Sequence, residues 1–175
     1  LVVPCKNFID SAFDVFDRHN KHDPDCPHET YVMEEVILTE ENLGSMKIDA
    51  DVIITRGLLA QILKSVQRDV PVTEISVPAT DILRALNACH KTFQAQKVGI
   101  IAARNMLSGI DDLEGLTDID IRPYELSADW NGPALVDRAI KDGCQAVLGG
   151  LATCRYASMI HINNKLLATG RDAFW

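Results

Sequence analysis

Arg56 stands between a β-branched run at residues 50–55 (ADVIIT) and an apolar helical repeat that begins at Leu58. An arginine placed there leaves the carboxyl end of a buried strand just before a helix starts. Its planar guanidinium can hold a carboxylate or phosphate through paired hydrogen bonds. Gly57 permits close backbone approach, and the amides of Leu58 and Leu59 add the positive end of the helix. With Thr55, these residues form a first candidate ligand-binding turn; the plain alternative is a tight strand–helix turn carrying a surface arginine. A second candidate is residues 76–81 (SVPATD). Here Ser76 is followed by Thr80, suited to cap a helix, and by Asp81, suited to its first turn because of the helix dipole. That structural role alone also accounts for them. A third is residues 149–155 (GGLATCR), where the pair Gly149-Gly150 and then Thr153, opening a helix, make an anion-receiving turn or an ordinary one. A fourth, Arg104 after KVGIIA, has the right position but unspecific neighbours, and a solvated arginine is the better account of it.

Other chemistries fail on residue type. The GK[ST] ending of a P-loop, the dinucleotide fingerprint and the GxSxG elbow of a hydrolase are all missing. A phosphoacceptor pocket needs acids at the ends of early strands, but residues 1–4 lead into Cys5 and Lys6, and ADVIIT leads into Arg56. Asp49 and Asp51 lie at the wrong end of their strand. The segment KHDPDCPH offers His22, Asp23, Asp25, Cys26 and His28 as metal ligands, yet it holds a single cysteine and reads as well as a polar loop. No metal site is expected. His19, His90 and His161 have no evident partners. Cys154, near a helix start, carries either a lowered pKa or a packing role.

The elements that must position these residues alternate. Strands are expected at residues 1–4, 31–38, 50–55, 72–76, 97–102, 119–126, 146–148 and 165–169. Helices are expected at 8–18, 58–67, 80–91, 105–113, 132–142 and 153–162, with another beginning at 171–175. Ile9, Phe13 and Phe16 form the inner face of the first helix. Leu58, Leu59, Ile62, Leu63 and Val66 form that of the second, and Ile82, Leu83, Leu86 and Cys89 that of the third. Pro133 suits a first helical turn. This order implies βαβ units: an α/β protein of two Rossmann-like lobes with mainly parallel sheets and an interlobe cleft. The expected division assigns residues 1–77 plus 165–175 to the first lobe and 78–164 to the second. In such sheets ligands bind beyond the carboxyl ends of the strands, where the four candidate turns fall.

Composition sets the remaining bounds. The chain has 175 residues, 47% of them hydrophobic, enough for one substantial domain or two small ones. A net charge of −8 without a basic stripe argues against nucleic-acid binding by this segment. No run approaches a membrane span, and no signal peptide is visible. Five cysteines without a CxxC fit reduced thiols and a cytoplasmic location.

Five pieces carry a resemblance: ADVIITRG at residues 50–57, VPVTEISVPATDILRAL at 70–86, KVGIIA at 97–102, AVLGGLATCRYA at 146–157 and LLATGRDAF at 166–174. In this order they resemble the N-terminal sensory domain of the propionate catabolism activator family, found on sigma-54-dependent regulators. The likeness is good over residues 50–175 and loose before them. It implies a two-lobed domain that senses a small anionic metabolite, a tricarboxylate such as 2-methylcitrate in propionate regulators, and performs no catalysis. By the same resemblance, the full-length protein would add an ATPase domain using ATP and magnesium and engaging sigma-54 polymerase, then a helix-turn-helix DNA-binding domain. This domain itself would need no cofactor, and a homo-oligomer is expected. Carried over, Thr55, Arg56 and Gly57 fall at the mouth of the first lobe, Ser76, Thr80 and Asp81 at the junction, and Gly149, Gly150 and Thr153 in the second lobe. The chain departs from the family pattern at Leu58-Leu59 and at Pro78-Ala79-Thr80, which bears on which acid is bound. Two other readings of the residues stand beside this one. One is a two-lobed lyase or synthase acting on an acidic substrate, with Asp81 or Tyr124 as acid or base. The other is an interaction module that binds no small molecule.

Overall fold

The structure, a computed structural model, describes residues 6–22, 48–107, 109–170 and 173. The strands expected at 1–4 and 31–38, the candidate metal loop from residue 23 onward and all of the helix start at 171–175 except residue 173 lie outside these residues. Two compact units divide the chain: Leu1–Ile75 with Thr169–Trp175, and Ser76–Ala168.

In the first unit, α1 spans Lys6–His22, β1 Ile53–Thr55, α2 Gly57–Val66 and β2 Val72–Glu74. β1 and β2 are parallel, with Ile53 opposite Val72 and Thr55 opposite Glu74. The strand expected from Ala50 starts three residues later. Pairing begins where the Ile53 amide donates to the Pro71 carbonyl, and Val52 is exposed. α2 buries Leu58, Leu59, Ala60 and Leu63, whereas Val66 at its end is exposed. Lys64 Nζ donates to Glu74 Oε2 at 2.8 Å, tying α2 to β2.

The second unit contains α3 (Ala79–Phe93), β3 (Lys97–Ala102), α4 (Arg104–Leu107), β4 (Asp120–Glu125), α5 (Gly132–Lys141), β5 (Ala146–Gly149), α6 (Leu151–Met159) and β6 (Asn164–Leu166). Its sheet is wholly parallel in the order β4-β3-β5-β6. Both faces are covered, so the central strands are apolar throughout. Val98, Ile100 and Leu148 pack with Ile82, Leu86 and Cys89 of α3. Ile101 and Val147 pack with Val136 and Ala139 of α5 and Ala157 of α6.

Two expectations are corrected. The helix expected at 105–113 divides into α4 and a 3-10 helix at Asp111–Leu116, with Gly109 between them at φ +80. A left-handed glycine ends an α-helix readily. The final strand belongs to the second unit because Leu148 pairs with Lys165 and Gly149 with Leu166. The chain re-enters the first unit at Thr169, not at Lys165.

Cys89, Cys144 and Cys154 are free and buried. Burial pushes the thiols of Cys89 and Cys154 up to about 11, outweighing the helix start near Cys154. Cys154 is therefore a packing residue, not an activated thiol. Both folded pKa values lie above the unfolded value of 9.0. The associated stability is then fully present below about pH 9 and is lost as pH rises through about 11. The urea midpoint should fall between pH 8.5 and 11 more steeply in the wild type than in a Cys89→Ala/Cys154→Ala variant; parallel slopes would refute this.

Candidate functional site

In the first unit, the carboxyl end of β1 is pinned where the Ile75 amide donates to the Thr55 carbonyl at 2.8 Å. Arg56 follows in extended conformation (φ −149, ψ 164) as the residue that caps α2. Gly57 has φ +60, a left-handed conformation in which any side chain is strained. Arg56 itself is buried. It is only 5% exposed, so the surface-arginine alternative is excluded. Its Nη1 donates to the hydroxyl of Thr169, which is itself 6% exposed. Thr55 is fully buried, and its Oγ1 has no hydrogen-bond partner. A guanidinium held out of water at a helix amino end gives an anion a strong, low-dielectric partner.

In the second unit the chain leaves β3 toward β4 on one side, while β5 lies on the other. The gap between β3 and β5 is therefore a topological switch point, the usual ligand position in an open parallel sheet. Arg104 leaves β3 there and is exposed; Gly149 and Gly150 leave β5. Because α3 runs back into β3 through a short connection, its amino end reaches this same carboxyl edge with Ser76, Thr80 and Asp81.

Several roles change in detail. α6 begins at Leu151, capped by Gly150, so Thr153 is its third residue rather than its opener. Thr153 is buried against Gly149. Thr80 does not cap α3: Pro78 holds that position, and its carbonyl accepts from the amides of Asp81 and Ile82. Thr80 and Ser76 are exposed. Asp81 does occupy the first turn, buried, and accepts from Arg84 Nη1 at 2.5 Å. Each unit thus gathers its own candidate residues at the carboxyl edge of its sheet. Among the described residues, Thr169 is a partner of Arg56 that the sequence reading did not name. It lies in the quoted LLATGRDAF piece, but its partner is 113 residues away.

The opposite edge of the second unit has an open hollow of about 620 Å³ lined by His90, Gln96, Lys97, Asp118, Asp120, Gly143 and Gln145. Gln145 Oε1 accepts there from the amides of Gln96 and Lys97, which reads as a staple between strand starts. Among the described residues no group of three or more His, Cys, Asp or Glu could hold a metal ion.

Tyr124, an acid or base candidate, is committed elsewhere. Its hydroxyl donates to Asp142 Oδ2 at 2.8 Å, and its ring lies over Gly99, where a Cβ would be 3.1 Å from Tyr124 Cε2. Burial and the Asp142 hydrogen bond raise its pKa well above the ordinary phenol value. Tyr124→Phe should cost about 1–2 kcal/mol of stability, as expected for a hydrogen bond to a charged acceptor, and leave ligand binding unchanged. Urea unfolding checks the first part and calorimetry the second.

Helix starts at the carboxyl edge of an open parallel sheet, as in the second unit, are a common setting for small-molecule sites in α/β domains. The chain belongs to the propionate catabolism activator family, whose model matches residues 27–175, and is thus a regulatory sensing domain. It is similar in fold to the crystal structure of an NtrC family transcriptional regulator from Clostridium acetobutylicum. The TM-score is 0.74 at 15% identity, covering 98% of this chain and 87% of that one. No curated protein matches the chain. Among the described residues no helix is long and apolar enough to cross a membrane.

Proposed function

We propose that this chain senses a small carboxylated metabolite for a sigma-54-dependent transcriptional regulator and catalyses no reaction. The observation that carries the reading is Arg56, buried at the carboxyl end of β1 beside a left-handed glycine and the first turn of α2. A guanidinium held out of water at a helix start is a strong partner for a carboxylate, whose two oxygens match its geometry. The exposed turn at Gly150 and the cationic Arg104 at the second unit's switch point are also chemically suited to acidic groups. Closure of the two units around a ligand that touches both would be the switch, because such a ligand favours the closed state by its differential affinity. ATP, magnesium, sigma-54 polymerase and DNA would be handled by other domains of a cytoplasmic homo-oligomer, and this one would need no cofactor.

The test is a thermal-shift screen of di- and tricarboxylates, followed by calorimetry and small-angle scattering on any hit. A ligand at 100 times its Kd should stabilise the folded chain by roughly 2.7 kcal/mol, reduce the radius of gyration and emerge chemically unchanged. Turnover of the hit would favour the lyase or synthase reading. Failure of every carboxylate would defeat the sensing reading.

A further inference from the structure

Thr169 stands at a junction that the sensing reading does not itself use. Leu167 is buried in the core of the second unit, and its amide donates to the Gly149 carbonyl at 2.9 Å. Two residues later the Thr169 hydroxyl accepts from Arg56 Nη1 in the first unit, both side chains being buried. Ala168 alone separates a residue fastened to one candidate strand end from a residue fastened to the other. The Ala168 amide donates to the Leu166 carbonyl at 3.0 Å, holding this short stretch in a tight turn.

We infer that Thr169 is a positioning residue for Arg56: its hydroxyl fixes the guanidinium plane, and with it the direction in which a carboxylate must approach. This rests on the proposal that Arg56 binds the ligand. An arginine side chain has several rotatable bonds, and its entropy is lost when it is aimed. A buried acceptor that holds one Nη removes part of that freedom before the ligand arrives, which is preorganisation. A threonine suits this role because its branched Cβ restricts χ1, so the hydroxyl itself points in a defined direction.

The test uses the whole chain with Thr169→Val, which keeps the shape and removes the acceptor, and Thr169→Ser, which restores an acceptor. Nitrogen-edited NMR should show resolved, slowly exchanging Arg56 Nη signals in the wild type and in Thr169→Ser, and averaged signals in Thr169→Val. An unchanged signal in a folded Thr169→Val chain overturns the inference, whether or not any ligand is known. With citrate as the carboxylate probe, Thr169→Val should bind about three- to tenfold more weakly and Thr169→Ser nearly as well as wild type. Equal affinities of Thr169→Val and wild type, alongside loss of binding in Arg56→Met, would refute positioning while sparing the sensing reading. Undiminished binding in Arg56→Met would defeat that reading instead, leaving the NMR signals to decide the role of Thr169.

Discussion

Alanine at position 149 is expected to destabilise the second unit by about 3 kcal/mol, at the upper end of the usual overpacking range. A Cβ there would lie 2.7 Å from Thr153 Cγ2, 2.9 Å from Thr153 Cβ and 3.1 Å from the Ile101 carbonyl oxygen. None of these atoms can swing away. Thr153 is buried in the first turn of α6, and the Ile101 carbonyl belongs to the central strand. Relief therefore requires α6 to lift from the sheet, which opens the core containing Ala157 and Val147. Adding Thr153→Ser removes only the 2.7 Å contact, so the double variant should recover about 1 kcal/mol and no more. The neighbouring glycine behaves oppositely. A Cβ on Gly150 meets nothing within 4 Å, and its φ of −73 is available to any residue. Gly150→Ala should stay within about 0.5 kcal/mol of wild type. Urea unfolding of the three variants decides the matter, and a Gly149→Ala chain as stable as Gly150→Ala would mean that α6 is not seated as described. The glycine pair thus divides its labour: Gly149 lets the helix sit close, while Gly150 leaves the turn open at the edge where a ligand would approach.

What was legible in the sequence follows from how far each determinant reaches along the chain. KVGIIA predicts its strand to the residue, because a strand covered on both faces is a continuous apolar run. ADVIIT has the same look, yet only its last three residues are strand, since the ladder depends on where β2 lies opposite it. The amino end of α3 misleads for a local reason: Thr80 is a favoured cap by type, but Pro78, with φ already preset, takes the position first. The place of β6 was not legible at all. Its pairing with β5 depends on register, which a three-residue strand, Asn164–Leu166, does not specify. The candidate site shows the same division. Arg56 and Gly57 are marked by position at a strand–helix boundary, but the burial of the guanidinium and its contact with Thr169 depend on residues far along the chain. Neither is visible in a window of neighbours.

Arg56→Met should weaken carboxylate binding by about 100-fold or more while leaving the ligand-free chain within roughly 1 kcal/mol of wild-type stability. The two halves have one physical origin. Removing one partner of a desolvated, hydrogen-bonded ion pair costs about 2–5 kcal/mol, and 1.4 kcal/mol is a factor of ten in affinity. Burying a guanidinium costs solvation energy that an apolar chain of similar length does not incur, so methionine offsets the lost polar contacts, that with Thr169 among them, by sparing that cost. Arg56→Lys separates charge from shape. It keeps the positive charge but cannot present two parallel N–H groups, and it should fall between methionine and wild type. Calorimetry with the strongest carboxylate from the screen measures affinity, and thermal unfolding without ligand measures stability. A residue kept for packing gives the reverse pattern, with stability lost and affinity in the folded fraction preserved. That outcome would reduce Arg56 to a structural pin between β1 and Thr169 and move the search for the anion site to the second unit's switch point, between Arg104 and Gly150.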